Sequence, residues 1–130
     1  MAPLTVKPDE EKRLKGMGFL SNKGTDNFSA RVLTTNGKVT TEQLKALQEA
    51  SDEYGNGVVT LTTRLTFEVQ GIPYDKAEDF QKAIGKAGLI TGGTGSKVRP
   101  VVSCKGTTCQ YGLIDTFALS EKIHERFYIG

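Results

Sequence analysis

Cys104 and Cys109 are the residues of this 130-residue chain whose type and spacing point most directly to chemistry. They lie in Val101-Val102-Ser103-Cys104-Lys105-Gly106-Thr107-Thr108-Cys109-Gln110-Tyr111-Gly112, and no other cysteine is present. Thiolate sulfur is a soft donor suited to zinc and to iron–sulfur clusters. The β-branched run Val98, Val101, Val102 predicts a strand leading into the first thiol. A Gly/Thr loop follows, and an amphipathic segment predicts a helix start after the second. Thiols on such a turn lie near unpaired backbone N–H groups and the positive end of a helix dipole, which favours the thiolate. Gly106 and Gly112 bracket the pair and permit close backbone approach, while Lys105 sets a cation beside it. The C-x4-C spacing alone leaves three roles open: metal or cluster ligation, a short disulfide, and two inert thiols.

The elements that must carry this loop are legible upstream. Asn27 to Thr34 alternates Phe28, Ala30, Val32 against Ser29, Arg31, Leu33, which predicts a strand ended by Asn36-Gly37. Thr40 and Gln43 form a capping-box pattern, with Leu44, Leu47, Ser51 and Tyr54 at helical spacing until Gly55. From Val58 to Gln70, Val59, Leu61, Thr63, Leu65, Phe67 and Val69 alternate with polar residues. Thirteen residues exceed an ordinary strand, so a break near Thr63 to Leu65 is expected, with Arg64 at the break. Pro73 precedes Asp75, read as the cap of a second helix whose stripe is Ala77, Phe80, Ile84, Ala87 and whose end is Gly88. Strand, helix, two strands, helix and a returning strand is the order of a ferredoxin-like α+β sandwich, an antiparallel sheet covered by two helices.

Three further stretches carry less. Lys15-Gly-Met-Gly-Phe-Leu20 lacks the later aromatic and strand context of an RNA-recognition strand. Thr91-Gly-Gly-Thr-Gly-Ser-Lys97 does not fit the G-x-x-x-x-G-K-[ST] phosphate loop and reads as a crossover feeding Arg99. Leu113, Phe117, Ile123 and Phe127 mark a last helix, with His124, the only histidine, on its polar side.

Bulk properties bound the function. Net charge is +2, from 17 basic and 15 acidic residues, which argues against nucleic acid or an anionic membrane as the main partner. No apolar run approaches the ~18 residues of a membrane helix, and the opening residues lack the apolar core of a secretion signal, so a cytoplasmic protein is expected. The polar, proline-interrupted start predicts an N-terminal arm over residues 1–17.

Taken together, Gly37-Lys-Val-Thr-Thr-Glu-Gln-Leu44, Leu61-Thr-Thr-Arg64, Gln70-Gly-Ile72 and Val98-Arg-Pro-Val-Val-Ser-Cys104 with Cys109 resemble the siroheme-dependent nitrite and sulfite reductases. The resemblance implies a ferredoxin-like half-domain over residues 18–97 and, from 98 to 130, the opening strand, loop and helix of a domain that carries siroheme and a 4Fe-4S cluster. It implies six-electron reduction of sulfite to sulfide or nitrite to ammonia, with a small oxyanion substrate, an electron-donor protein or domain, and half-domains paired within a homo- or hetero-oligomer. Cys104 and Cys109 match the first pair of cluster ligands. Arg64 matches the arginine facing the haem and its anion, with Thr62 and Thr63 beside it. Arg99 stands just ahead of the ligand loop, and Lys105, Gly106 and Thr107 lie within it. These cations would meet siroheme carboxylates and support proton delivery to the bound anion.

Two departures stand out. The family usually leaves five residues between these cysteines, where this chain has four, and the second cysteine pair is absent. A 4Fe-4S cluster takes four thiolates. The expectation is therefore a C-terminally truncated fragment, catalytically incompetent alone. Two other readings remain: a homodimer pooling four thiolates on a metal, and a ferredoxin-like interaction module without redox catalysis.

Overall fold

The computed structural model describes residues 6–129. Helix α1 (Pro8–Lys15) is followed by β1 (Phe19–Ser21), β2 (Asn27–Val32), α2 (Thr41–Tyr54), β3 (Val59–Leu61), β4 (Phe67–Pro73) and α3 (Ala77–Gly85). A long irregular stretch then leads to α4 (Thr116–His124), which continues as a wider turn over Glu125–Ile129. The strands form one antiparallel sheet in the order β1-β2-β4-β3.

The alternation read in β2 sends Phe28, Ala30 and Val32 into the core, each at most 1% exposed. They meet Val69 and Ile72 of β4, Leu47 and Ala50 of α2, and Phe80 and Ile84 of α3. Phe19 and Phe80 pack edge to face with centroids 6.3 Å apart. Each such apolar side chain contributes about 1.5–3 kcal/mol by leaving water. Helix α2 starts where expected: the Gln43 N–H donates to Thr40 Oγ1 at 3.1 Å and the Thr40 N–H to Gln43 Oε1 at 3.0 Å. These bonds satisfy two donors that the first helical turn leaves unpaired.

The break expected near Thr63 to Leu65 is a tight turn joining β3 to β4. The Thr62 N–H donates to the Thr66 carbonyl at 3.0 Å, the Leu65 N–H donates to Thr62 at 3.2 Å, and Leu65 takes φ 60°. Only a turn that overrides its sterics holds a leucine there.

Several expectations are corrected. The fourth strand is β1, within the stretch set aside above, while the expected returning strand reduces to a single Val32–Thr91 bridge. That bridge occupies the same edge of β2 as β1, and a Cβ on Gly18 would lie 2.4 Å from the Gly92 nitrogen, so these segments meet only through glycine. Residues Pro8–Lys15, read as part of an arm, form a helix that buries Leu14 to 1% exposure. Asp75 does not cap a helix; a 3-10 turn over Tyr74–Lys76 leads into α3 without a side-chain cap. Leu44 and Leu61, placed on packed stripes, are 47% and 77% exposed. Val98 to Ser103 is not a strand, because the segment pairs with no sheet edge. Among the described residues no helix is long and apolar enough to cross a membrane.

Candidate functional site

The cysteine loop is built around one turn. Residues Gly106–Thr108 form a 3-10 turn between the thiols, closed by the Thr108 N–H on the Lys105 carbonyl at 3.2 Å and the Cys109 N–H on the Gly106 carbonyl at 2.9 Å. Helix α4 begins only at Thr116, with Asp115 capping the Ala118 N–H, so Cys109 does not stand at a helix start as the sequence had suggested. Leu113, expected on the helix stripe, precedes the helix and is 93% exposed.

Both glycines of the loop are sterically required. Gly106 takes φ 55°, and a Cβ there would sit 2.5 Å from the Ile114 carbonyl oxygen. A Cβ on Gly112 would fall 1.7 Å from the Gly106 carbonyl oxygen. The chain folds back on itself so tightly that only glycine fits. The result presents Cys104 exposed and Cys109 half-buried, both as free thiols. Lys105 and Thr107 are exposed beside them.

The peptide carrying Cys104 is clamped from two sides. The Asn36 amide donates to the Cys104 carbonyl at 2.9 Å and accepts from the Ser103 N–H at 2.9 Å. The Thr116 hydroxyl donates to the same Cys104 carbonyl, and the Ser103 and Ser120 hydroxyls lie 3.0 Å apart. Asn36 follows β2 in the left-handed region at φ 53° and is buried. The Lys38 ammonium, two residues on, lies 4.9 Å from the centre of the Phe117 ring of α4.

That same turn meets the Arg64 turn. The Thr34 hydroxyl donates to the Leu65 carbonyl and accepts from the Gly37 N–H at 2.7 Å. Within the Arg64 turn, Thr62 Oγ1 lies 2.6 Å from Thr66 Oγ1 and accepts from the Arg64 and Thr66 N–H groups at 3.3 Å each. Thr62 thus shapes the turn, while Thr63 and the Arg64 side chain are exposed. A hydrogen-bonded path, Leu65 carbonyl to Thr34, one turn of backbone, then Asn36 to Cys104, joins the arginine turn to the thiol loop.

Arg99 is turned into the glycine-rich crossover. Its Nη1 donates to the carbonyls of Gly95 at 2.9 Å, Lys97 at 3.2 Å and Gly93 at 3.4 Å. Arg31 donates to the Gly93 carbonyl from the other side at 3.0 Å, and its buried Nε has no hydrogen-bond partner among the described residues. The sequence pattern put Arg31 on the outward face of β2 without marking it for a role. Thr34, Asn36, Thr116 and Ser120 were also missed. The Asn36-Gly37 pair signalled a turn, but nothing local signals that its side chain reaches residue 104.

A cavity of about 330 Å3 opens beside the clamp, lined by Asn36, Val101, Ser120, His124 and others, but by neither cysteine nor Arg64. Cys104 and Arg64 are exposed and Cys109 is half-buried. Among the described residues no group of three or more His, Cys, Asp or Glu side chains is placed to hold a metal ion.

Comparison with known proteins agrees with this architecture. A family model, the nitrite/sulfite reductase ferredoxin-like half domain, matches residues 21–87. An uncharacterized protein of Methanocaldococcus jannaschii is 34% identical over 102 residues, 78% of this chain and 37% of that protein. The coenzyme F420-dependent sulfite reductase of the same organism is 33% identical over 87 residues, 66% of this chain and 14% of that protein. The solved structure of Mycobacterium tuberculosis NirA superposes with a TM-score of 0.82 at 17% identity, covering 95% of this chain and 26% of that one. This chain thus spans well under half of the relatives it matches, and the likeness to NirA bears on the fold alone. With the half-domain model covering just over half of its residues, the chain belongs to the nitrite/sulfite reductase ferredoxin-like half-domain family.

Proposed function

We propose that this chain is part of a siroheme and 4Fe-4S reductase that converts sulfite to sulfide or nitrite to ammonia, and that it contributes the first two cluster thiolates and one anion-facing arginine. The single observation that carries this reading is the hydrogen-bonded path from the Arg64 turn through Thr34 and Asn36 to Cys104. It makes a cationic turn and a sulfur turn parts of one unit.

The donor set fits half of a cluster. Two thiols on either side of one tight turn are soft ligands of the kind iron–sulfur centres take, and a complete 4Fe-4S centre takes four. One copy of the chain supplies two cysteines. The remaining thiolates come from elsewhere in the enzyme, and a single isolated copy does not turn over. When bound, siroheme and the cluster would relay the donor's electrons to the substrate. The chain's own residues bind and orient: Cys104 and Cys109 as thiolates, Arg64 through a guanidinium that can pair two oxygens of a carboxylate or oxyanion, and Lys105 as a cation beside the loop. Arg99, with Nη1 spent on loop carbonyls, has its other guanidinium nitrogens for an anion. The substrate is a small oxyanion, electrons arrive from a donor protein or domain, and the open sheet edge at β3, where Leu61 is exposed, is where a second half-domain pairs.

The test is anaerobic reconstitution of the 130-residue chain with iron, sulfide and siroheme, compared with Cys104→Ser and Cys109→Ser. Iron uptake that needs both thiols and stays below a full cluster per monomer is the expected result. Iron uptake indifferent to both substitutions overturns the ligand assignment. A monomer with a full cluster and siroheme bands overturns its incompleteness.

A further inference from the structure

We infer that Asn36 is a positioning residue, whose side chain fixes the cysteine loop relative to the Arg64 turn and so sets where the first thiol stands relative to that turn. The inference rests on the proposed function for its consequence, but its geometry does not. Asn36 brackets a single peptide: its carbonyl oxygen accepts from Ser103 N–H and its amide donates to the Cys104 carbonyl, both at 2.9 Å. With one side chain it satisfies a donor and an acceptor of a segment that has no strand partner. The Cys104 carbonyl takes a second donor from Thr116, so the peptide on which the thiol is mounted is held at both faces.

Burial and backbone make the clamp rigid. Asn36 is only 7% exposed, so its amide is committed to the loop and not shared with bulk water. Its φ of 53° belongs to the small left-handed region that Asn tolerates and most residues do not. Thr34, two residues earlier, is bonded to the Leu65 carbonyl, so the clamp and the arginine turn share one short rigid segment. A half-ångström error at such a support propagates to the ligands it carries, which is why side chains behind a metal ligand matter nearly as much as the ligand itself.

Two substitutions separate the clamp from the turn. Asn36→Gly keeps the left-handed backbone without cost and deletes both side-chain bonds. Asn36→Asp keeps the acceptor for Ser103 and removes the donor to Cys104. In the reduced chain without added metal, the Thr108, Cys109 and Gly112 amides should exchange on the order of tenfold faster in Asn36→Gly than in the parent, with the Ala30 and Val69 ladder amides unchanged. A nitroxide on Cys104, in a Cys109→Ser background, should broaden the Arg64 and Leu65 amide signals in the parent, less so in Asn36→Gly, and to an intermediate degree in Asn36→Asp. Loop exchange and broadening identical in all three chains overturn the inference, as does a uniform acceleration that includes the β2–β4 ladder. Neither readout uses iron or siroheme, so failure to assemble a cluster bears on the proposed function alone.

Discussion

At the scale of single residues, the proposed site divides into groups that would bind and groups that hold them in place. Arg64 is exposed at the tip of a turn whose shape is set by Thr62, so its charge is available for a ligand and not spent on the fold. Arg64→Gln should leave the unfolding free energy from urea titration within about 0.5 kcal/mol of the parent, as surface substitutions do. It should weaken siroheme retention by the assembled reductase about tenfold, the loss of one charge-assisted contact. Equal siroheme retention would remove Arg64 from the site. Gly112 is the opposite case. No other residue fits within 1.7 Å of the Gly106 carbonyl, so Gly112→Ala must reopen the loop. Cobalt titration should show thiolate affinity reduced by about 10–100-fold, the range found when support around metal ligands is altered. Of the proposed site residues, the sequence singled out the cysteines, the glycines and Arg64 as candidates. It did not show Thr34 or Asn36, because their bonds span 31 and 68 positions and leave no periodic trace.

At the scale of elements, β2, α2, β4 and α3 were legible because each carries its own local signal: strict alternation, a capping box, or apolar residues at helical spacing. Strand β1 has three residues, too few for a period, and it is held by pairing with β2 and by Phe19 against Phe80. Phe80→Ala should cost about 3–5 kcal/mol by urea unfolding, since it empties the contact between sheet and α3. Helix α1 offered one buried residue, Leu14, and so no stripe to read. Its anchor is polar. Tyr74 donates to Glu10 at 3.0 Å, and the Arg13 guanidinium pairs with the same carboxylate at 2.8 Å. The hydrogen bond from Arg13, then that from Tyr74, hold the Glu10 carboxyl below its ordinary range. The bond to Glu10 pushes the Tyr74 phenol above its ordinary range. Glu10 therefore adds stability above the usual carboxylate range, lost as pH falls through its depressed value. Tyr74 adds stability below the usual phenol range, lost as pH rises through its elevated one. Protection from hydrogen exchange across residues 9–15, with the intrinsic pH dependence of amide exchange divided out, should be greatest between those limits and fall towards the acid end, and Glu10→Gln should abolish that acid dependence. An acid dependence unchanged in Glu10→Gln would place the anchor elsewhere.

At the scale of the whole molecule, a two-helix, four-stranded half-domain carries on one side a turn with an exposed guanidinium and an irregular segment with two thiols. The irregular segment was misread as a strand because its valines are β-branched. Val98 and Val102 are in fact 50% and 53% exposed, and what fixes the segment is Asn36, Thr116 and Ser120. If the proposed site is right, the two sulfurs hold a metal group close to the Arg64 turn. Nuclear magnetic resonance of the chain titrated with cobalt(II), a paramagnetic stand-in for iron on thiolates, tests it most directly. Pseudocontact shifts should centre on residues 104–109, extend to the Arg64 and Leu65 amides, and vanish in Cys104→Ser and in Cys109→Ser. Shifts centred elsewhere, or surviving both substitutions, would contradict it.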